Sequence, residues 1–352
     1  MKGKYKVAVA MSGGVDSTAA AIILKEKGYE VIGLFMKLYD RSFPSVRACF
    51  GPDEERIERV ERICRILKIP LYVIDLSDKF KKYVIEYFRK EYLSGRTPNP
   101  CIRCNSKVKF GFLVEEAKKR LEFEIFSTGH HVRVEKKKGR YLLKKAHDTS
   151  KDQSYFLYAL SQDQLSFSVF PAGDYLKEDL RKLVASYGIE PIKESQDFIS
   201  GKSYSILFKK EEMKEGIIVD KGGRVLGRHR GIVNYTIGQR RGLGISSSRP
   251  LYVIDIDPEK NRIVVGHKEE LFSKGLIAKK VNLVSIPEIR KPIRAMVKIR
   301  QQHKEAPATL YPEKDAVKVI FDKPQMAVTP GQSAVFYDGD MVIGGGVIES
   351  KI

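Results

Sequence analysis

The amino-acid sequence encodes an α/β N-terminal domain with a parallel sheet, a small mostly-β middle domain and a C-terminal β-barrel. Three patterns carry this reading. Strand-like and helix-like stretches alternate over the first 200 residues, which implies βαβ units around a buried parallel sheet. Short β-like runs separated by Gly-rich turns follow, and longer alternating runs close the chain. At 352 residues the chain exceeds what one core sustains, so domains are expected at 1–203, 204–274 and 275–352.

The elements follow in order. Residues 7–11 form an apolar strand, and 18–27 a helix that Gly28 closes at its C-terminal cap. Residues 31–36 are the next apolar run. A helix over 53–68 places Ile57, Val60, Cys64 and Leu67 on one face, and 71–74 is a third strand. Residues 125–128 make another strand, which runs into Gly129-His130-His131. Beyond residue 200 the β-like runs are 217–219, 231–237, 252–256 and 263–265, then 293–299, 316–321 and 333–337. Asp338-Gly339-Asp340 is a hairpin turn before the last run, 341–348.

Charge narrows the partners. The formal net charge is +20, with twelve Lys/Arg against five acids in 107–145 and ten against four in 202–245. Arg224, Arg228, Arg230, Arg240 and Arg241 belong to the second stretch. Such surfaces gain affinity for polyanions by releasing counterions, and two separated stretches suit a large folded RNA better than a small anion. No stretch approaches the roughly 18 apolar residues of a membrane span. Four cysteines make no disulfide framework, so the cytoplasm is the expected compartment.

Ser12-Gly13-Gly14-Val15-Asp16-Ser17 joins the first strand to the first helix. Its glycines let the backbone approach a ligand closely, and the N–H groups and hydroxyls at the helix start form an anion pocket. Asp16 is placed to hold a metal ion on phosphate oxygens. The loop has neither the lysine of the Walker pattern nor the dinucleotide spacing. It resembles the PP-loop of ATP pyrophosphatases, which cleave ATP between the α and β phosphates to adenylate a substrate.

Cys101-Ile102-Arg103-Cys104 lies in a Pro-rich loop, where Arg96, Arg103, Lys107 and Lys109 are expected to favour thiolates. A reactive thiol pair, half of a zinc site and part of an iron–sulfur site all fit this pattern. Cys64 falls on the apolar helix stripe and reads as core. Cys49 sits in the loop after the second strand, at the end of the sheet where open α/β proteins bind ligands.

Several segments together resemble the tRNA-specific 2-thiouridylase family over essentially the whole chain. They are residues 33–37, the Asn99-Pro100…Cys104-Asn105 loop, Thr128-Gly129-His130, residues 151–155, residues 234–242, residues 328–332 and residues 336–340. The resemblance implies adenylation of the C2 oxygen of a tRNA wobble uridine by ATP with Mg2+, and its replacement by sulfur. It implies ATP contacts from Ala10, Met11, Ser12, Gly13, Gly14, Val15, Asp16 and Ser17, with Met36 and Gly129. Asn99, Pro100 and Cys101 match target-base positions, and Cys104 the catalytic cysteine. His130, Lys151, Asp152, Gln153, Arg300, Gln301 and Gln332 match positions that contact the tRNA anticodon arm. Here Arg300-Gln301 replaces the family's usual Arg-Tyr.

One departure touches the chemistry. The family commonly carries a second catalytic cysteine where this chain has Ile199, and an alkyl side chain carries no sulfur. Either Cys101 and Cys104 share persulfide formation and release, or Cys49, Cys101 and Cys104 bind a [4Fe–4S] cluster whose open iron takes up sulfide. The sulfur donor is then a persulfide-carrying protein or sulfide itself. Three rivals remain: a non-catalytic tRNA-binding protein with a retained loop, an ammonia-using PP-loop synthetase, and a zinc-stabilised module.

Overall fold

Val7, Ala8 and Val9 of β1 (Lys6–Ala10) are fully buried, the pattern of a central strand covered on both faces. These belong to a computed structural model that describes residues 5–39, 49–192, 198–199 and 204–352. After β1 come α1 (Val15–Glu26), β2 (Glu30–Lys37), α2 (Glu54–Leu67) and β3 (Leu71–Asp75). A helical excursion follows: α3 (Ser77–Phe80), a wider π turn over Lys81–Ile85, α4 (Glu86–Leu93), α5 (Pro100–Arg103), a second π stretch over Cys104–Phe112, and α6 (Leu113–Lys118). Then β4 (Ile125–Ser127), the hairpin β5 (Val132–Lys137) and β6 (Arg140–Lys145), α7 (Gln162–Ser166), β7 (Ser168–Val169) and α8 (Lys177–Ser186) complete this part.

The sheet runs β3-β2-β1-β4-β7, with every pairing parallel. The helix expected over 18–27 begins earlier, at Val15, because Gly14 supplies an extended cap at φ −82° and ψ 168°. Residues 15–17 of the glycine loop are therefore already helical. Along α2, Val60, Ile63, Cys64 and Leu67 are buried with Ile57 partly so, which makes Cys64 a core residue as its position implied.

The middle part holds β8 (Gly216–Asp220), β9 (Val225–His229), β10 (Tyr252–Asp257) and β11 (Arg262–Gly266), ordered β10-β11-β8-β9. The run over 231–237 is not a strand. Gly231, at φ +103°, leads into a 3-10 turn over Ile232–Asn234. The Asn234 amide closes it by donating to the carbonyls of Arg230 at 2.9 Å and Gly231 at 3.2 Å. A side chain that satisfies local carbonyls competes with a sheet ladder, and here it wins.

The C-terminal strands are β12 (Phe272–Asn282), β13 (Ile293–Lys298), β14 (Ala306–Glu313), β15 (Ala316–Met326), β16 (Ser333–Asp338) and β17 (Met341–Lys351). They run β12-β15-β14-β13-β16-β17, and β12 also pairs β17, closing a six-stranded antiparallel barrel. Asp338 pairs Met341 across the tight turn, with Gly339 at φ +58°. Hairpin β5–β6 then extends this sheet through Met341↔Lys144. Among the described residues no helix is long and apolar enough to cross a membrane.

Candidate active site

The glycine loop is held from within and behind. Ser17 Oγ accepts the Ser12 N–H at 3.2 Å and lies 3.1 Å from Ser12 Oγ, while Thr18 Oγ1 donates to the Gly14 carbonyl at 2.8 Å. Gly13 sits at φ +80°, where side chains are disfavoured, and Arg59 Nε donates to its carbonyl at 2.8 Å. The loop thus presents its amides at the N-terminus of α1, which favours an anion.

Its first acid is already engaged. Asp16 Oδ1 meets His131 Nε2 at 2.9 Å and accepts from Lys177 Nζ at 2.6 Å. Burial alone would raise the carboxyl, but the hydrogen bonds and charges of His131 and Lys177 outweigh it and hold the pKa at about 2. Asp16 is ionised at neutral pH, which suits the Mg2+ that accompanies ATP. The loop after β4 comes very close: a Cβ on Gly129 would sit 2.5 Å from the Asp16 carbonyl carbon and the Ser17 nitrogen.

The next residue faces the other way. His130 Nδ1 lies 2.8 Å from Thr128 Oγ1, and its ring is 6.0 Å from that of Phe110, in the π stretch that starts at Cys104. Burial, then the charge of Lys109, keeps the imidazole neutral, well below its usual range. Adjacent histidines therefore join the two candidate centres, His131 touching the phosphate loop and His130 the helix of the thiols.

Cys101 lies within α5, which Pro100 starts and the Asn99 side chain caps by accepting the Ile102 N–H at 3.3 Å. The helical course puts Cys104 one turn on. Thiolates were expected, yet burial pushes Cys101 up and Cys104 up to about 11, with Lys109 only partly opposing it. The other cations are absent from this balance for physical reasons. Arg96 is tied to Glu91 and Glu349, Arg103 covers the Tyr87 ring and bonds the Tyr83 carbonyl, and Lys107 is exposed.

Cys49 joins this group in space. Its residue reaches solvent, but atoms crowding the sulfur desolvate it, and with the Cys104 and Cys101 charges they push the thiol up. The three thiols are the donor type of a [4Fe–4S] cluster. Among the described residues no group of three or more His, Cys, Asp or Glu side chains is gathered around one metal-ion position, whereas the thiols of a cluster each bind a different iron.

Comparison with known proteins gives these features a context. Residues 5–200 match the tRNA methyl transferase HUP domain, 205–267 the tRNA methyl transferase PRC-barrel domain, and 273–348 the aminomethyltransferase beta-barrel domain. A tRNA-specific 2-thiouridylase MnmA of Endomicrobium trichonymphae is 48% identical over 99% of this chain and 100% of its own length. That of Clostridioides difficile is 44% identical over 99% of each. The chain belongs to the tRNA-specific 2-thiouridylase family. A solved 4-thiouridine synthetase–RNA complex with bound ATP aligns only loosely, at 14% identity and a TM-score of 0.36, over 58% of this chain and 42% of that one.

In this 2-thiouridylase-family chain, position 199 is a buried Ile beside Cys49. The Cys49 N–H donates to the Phe198 carbonyl at 3.4 Å, and the Phe50 and Phe198 rings pack 5.1 Å apart. Residues 194–197 and 200 of that segment, and residues 47 and 48 before Cys49, lie outside the described residues.

The positions matched to tRNA contacts divide into two kinds. Lys151 is exposed, as are Arg224, Arg228, Arg230, Arg240 and Arg241. The others make bonds within the chain. Asp152 accepts from Ser154 Oγ at 2.7 Å, Gln153 Oε1 from the His131 N–H at 2.9 Å, and Gln301 donates to the Asp152 carbonyl at 3.1 Å. Arg300 donates to the Met326 carbonyl at 3.3 Å, and Gln332 to that of Thr97 at 2.9 Å, which fastens the barrel to the thiol loop. Ala10 ends β1 and Met11 follows it, Val15 starts α1, and Met36 lies near the carboxyl end of β2. His131 and Lys177 escaped the sequence reading. The doubled histidine was a visible signal for the first, whereas nothing local marks the second.

Proposed function

We propose that this chain is an ATP-dependent tRNA 2-thiouridylase, which adenylates the C2 oxygen of the wobble uridine and replaces it with sulfur. The observation that carries this reading is the His130–His131 pair, which joins an ATP-type phosphate loop to the helical stretch that begins at Cys104. In this reading Ala10–Ser17 with Met36 and Gly129 hold ATP, and Asp16 faces its Mg2+. Asn99, Pro100 and Cys101 meet a flipped uridine, since C2 is out of reach while the base is stacked. Lys151, His130, Arg300 and the exposed arginines of the middle part meet the anticodon arm, while Asp152, Gln153, Gln301 and Gln332 shape that surface. The three parts, 1–203, 204–274 and 275–352, divide the work as catalytic centre and RNA grip.

Adenylation turns a poor leaving group at C2 into a phosphate, so that sulfur can attack and AMP can depart. A [4Fe–4S] cluster would supply sulfide on an open iron, and the thiol chemistry agrees with it. We assign the sulfur step to the chain's own thiols, a reading that needs no further group. Cys104 carries the persulfide delivered by a sulfane-sulfur donor protein, and Cys101 resolves it as a disulfide, which a dithiol later reduces. Cys49 is the second candidate for the resolving thiol, favoured by its place beside position 199.

The test is an anaerobic single-turnover assay with ATP, unmodified tRNA and a persulfide donor, together with iron and sulfide analysis. AMP, pyrophosphate and 2-thiouridine formed in step are the expected result. RNA binding without AMP marks the non-catalytic alternative, and AMP formation that needs ammonia but no tRNA marks the amidating one. About four irons and four sulfides per chain, lost in Cys49→Ala, transfer the sulfur step to a cluster.

A further inference from the structure

The phosphate loop contains no cation of its own between Ser12 and Ser17. Cleaving ATP between the α and β phosphates leaves pyrophosphate, whose bridging oxygen gains negative charge as the bond breaks. A positioned cation at that oxygen is worth much more in a partly dry site than in water. Among the described residues the fold brings two such cations, Arg59 and Lys177, to the loop. Arg59 is fixed on carbonyls, with Nε on Gly13 at 2.8 Å and Nη2 on Glu190 at 2.7 Å, so it braces the loop from behind. Lys177 is different: its ammonium sits on a carboxylate, which a phosphate oxygen can replace with no change in the sign of the partner.

Lys177 is also well placed. It is the first residue of α8, its backbone N–H is anchored on Asp148 Oδ2 at 3.2 Å, and its side chain is only 13% exposed. Leu180 and Val184 of the same helix share a buried cluster with Ala19, Ala20 and Ile23 of α1, which fixes α8 against the phosphate helix. Asp16 keeps a second partner, His131, when Lys177 departs. A helix thus delivers to the loop, from 161 residues away, the cation that the local motif omits.

We propose that Lys177 is a catalytic residue of adenylation, parked on Asp16 before ATP binds and transferred to the β-phosphate of ATP as pyrophosphate leaves. The proposal rests on the adenylating function given above. The uridine O2–Pα bond forms, the bond from Pα to the α,β-bridging oxygen breaks with its electron pair going to pyrophosphate, and the N3 proton passes to water. Lys177 transfers no proton. It neutralises charge on the departing group.

The measurement is binding of pyrophosphate and of AMP by calorimetry, alongside single-turnover AMP formation, for wild type, Lys177→Ala and Lys177→Arg. Lys177→Ala is expected to weaken pyrophosphate on the order of tenfold or more while leaving AMP within about twofold. It should slow AMP formation roughly 100-fold, with Lys177→Arg restoring most of both. Equal weakening of pyrophosphate and AMP, or no change in either, overturns the proposal, because a lysine that merely braces Asp16 moves both together. Unfolding temperatures of all three proteins identify a variant that fails to fold, and Lys177→Arg then carries the comparison. A wild-type protein that binds pyrophosphate but makes no AMP with tRNA refutes the adenylating function instead, which keeps the two failures apart.

Discussion

The phosphate loop and the thiol group are built on opposite plans. The loop is six consecutive residues whose backbone amides, positive φ at Gly13 and hydroxyl–hydroxyl contacts form the binding surface themselves. The thiol group draws Cys49 from one loop and Cys101 and Cys104 from another, and its chemistry depends on what packs around it. The first centre is therefore fixed by local geometry. The second is tuned by burial, which overrides the lysines and arginines nearby in sequence. Between them stands the His130–His131 pair, whose neighbouring rings serve opposite centres.

Single substitutions break this contrast in different ways, and the largest effect falls on the thiols. Cys104→Ser is expected to lower 2-thiouridine formation by on the order of 1,000-fold while AMP release continues, measured by nucleoside chromatography beside an AMP assay. Loss of both products together would mean that the two centres are not separable.

Gly129→Ala tests the loop's reliance on close backbone approach. Its Cβ would meet the Asp16 carbonyl carbon and the Ser17 nitrogen at 2.5 Å, atoms that cannot rotate away. A displacement of about 1 Å in the phosphate site costs roughly 100-fold in rate, so AMP formation should fall by that order. Unchanged AMP formation would show that ATP does not use this face.

Charge reversal in the middle part should leave chemistry at saturating tRNA intact. Arg240→Glu with Arg241→Glu is expected to reduce the log–log salt slope of tRNA binding by about 0.9 for each phosphate that these arginines neutralise. A slope identical to wild type would place the RNA elsewhere.

Acidity gives a finer test. With Cys104 at about 11 rather than 9.0, its alkylation rate should keep rising about tenfold per pH unit beyond pH 9 instead of levelling there. The folded state holds this thiol neutral, so its contribution to stability is complete below about 9 and is lost as pH rises through about 11. A rate plateau near pH 9 would return the pocket to a solvated environment. The smallest effect belongs to Cys64→Ala, a core truncation worth about 1 kcal/mol in urea unfolding, with sulfur transfer unchanged.

What could be read from the residues in order depended on range. The βαβ alternation, the barrel strands, the hairpin at Gly339 and the phosphate loop rest on interactions between near neighbours, and each has a local pattern. The run at 231–237 misled because its apolar residues look strand-like, while Gly231 and the Asn234 side chain bend it into a turn. The charged residues around Cys101 misled for a different reason. Sequence proximity does not reveal that Arg96 is held by Glu349, 253 residues away, where its guanidinium also reaches that residue's backbone carbonyl.

The sequence by itself determined that this chain folds around a phosphate-binding loop, carries a Cys-x-x-Cys pair and presents excess positive charge. Those properties follow from spacing, glycine freedom and composition. Only the tertiary structure decided that hairpin β5–β6 joins the barrel sheet, that Cys49 lies beside position 199, and that His131 and Lys177 hold Asp16. Each of those is a contact between segments far apart in the chain. Its free energy depends on burial and on the partner that arrives, and no window of consecutive residues contains either.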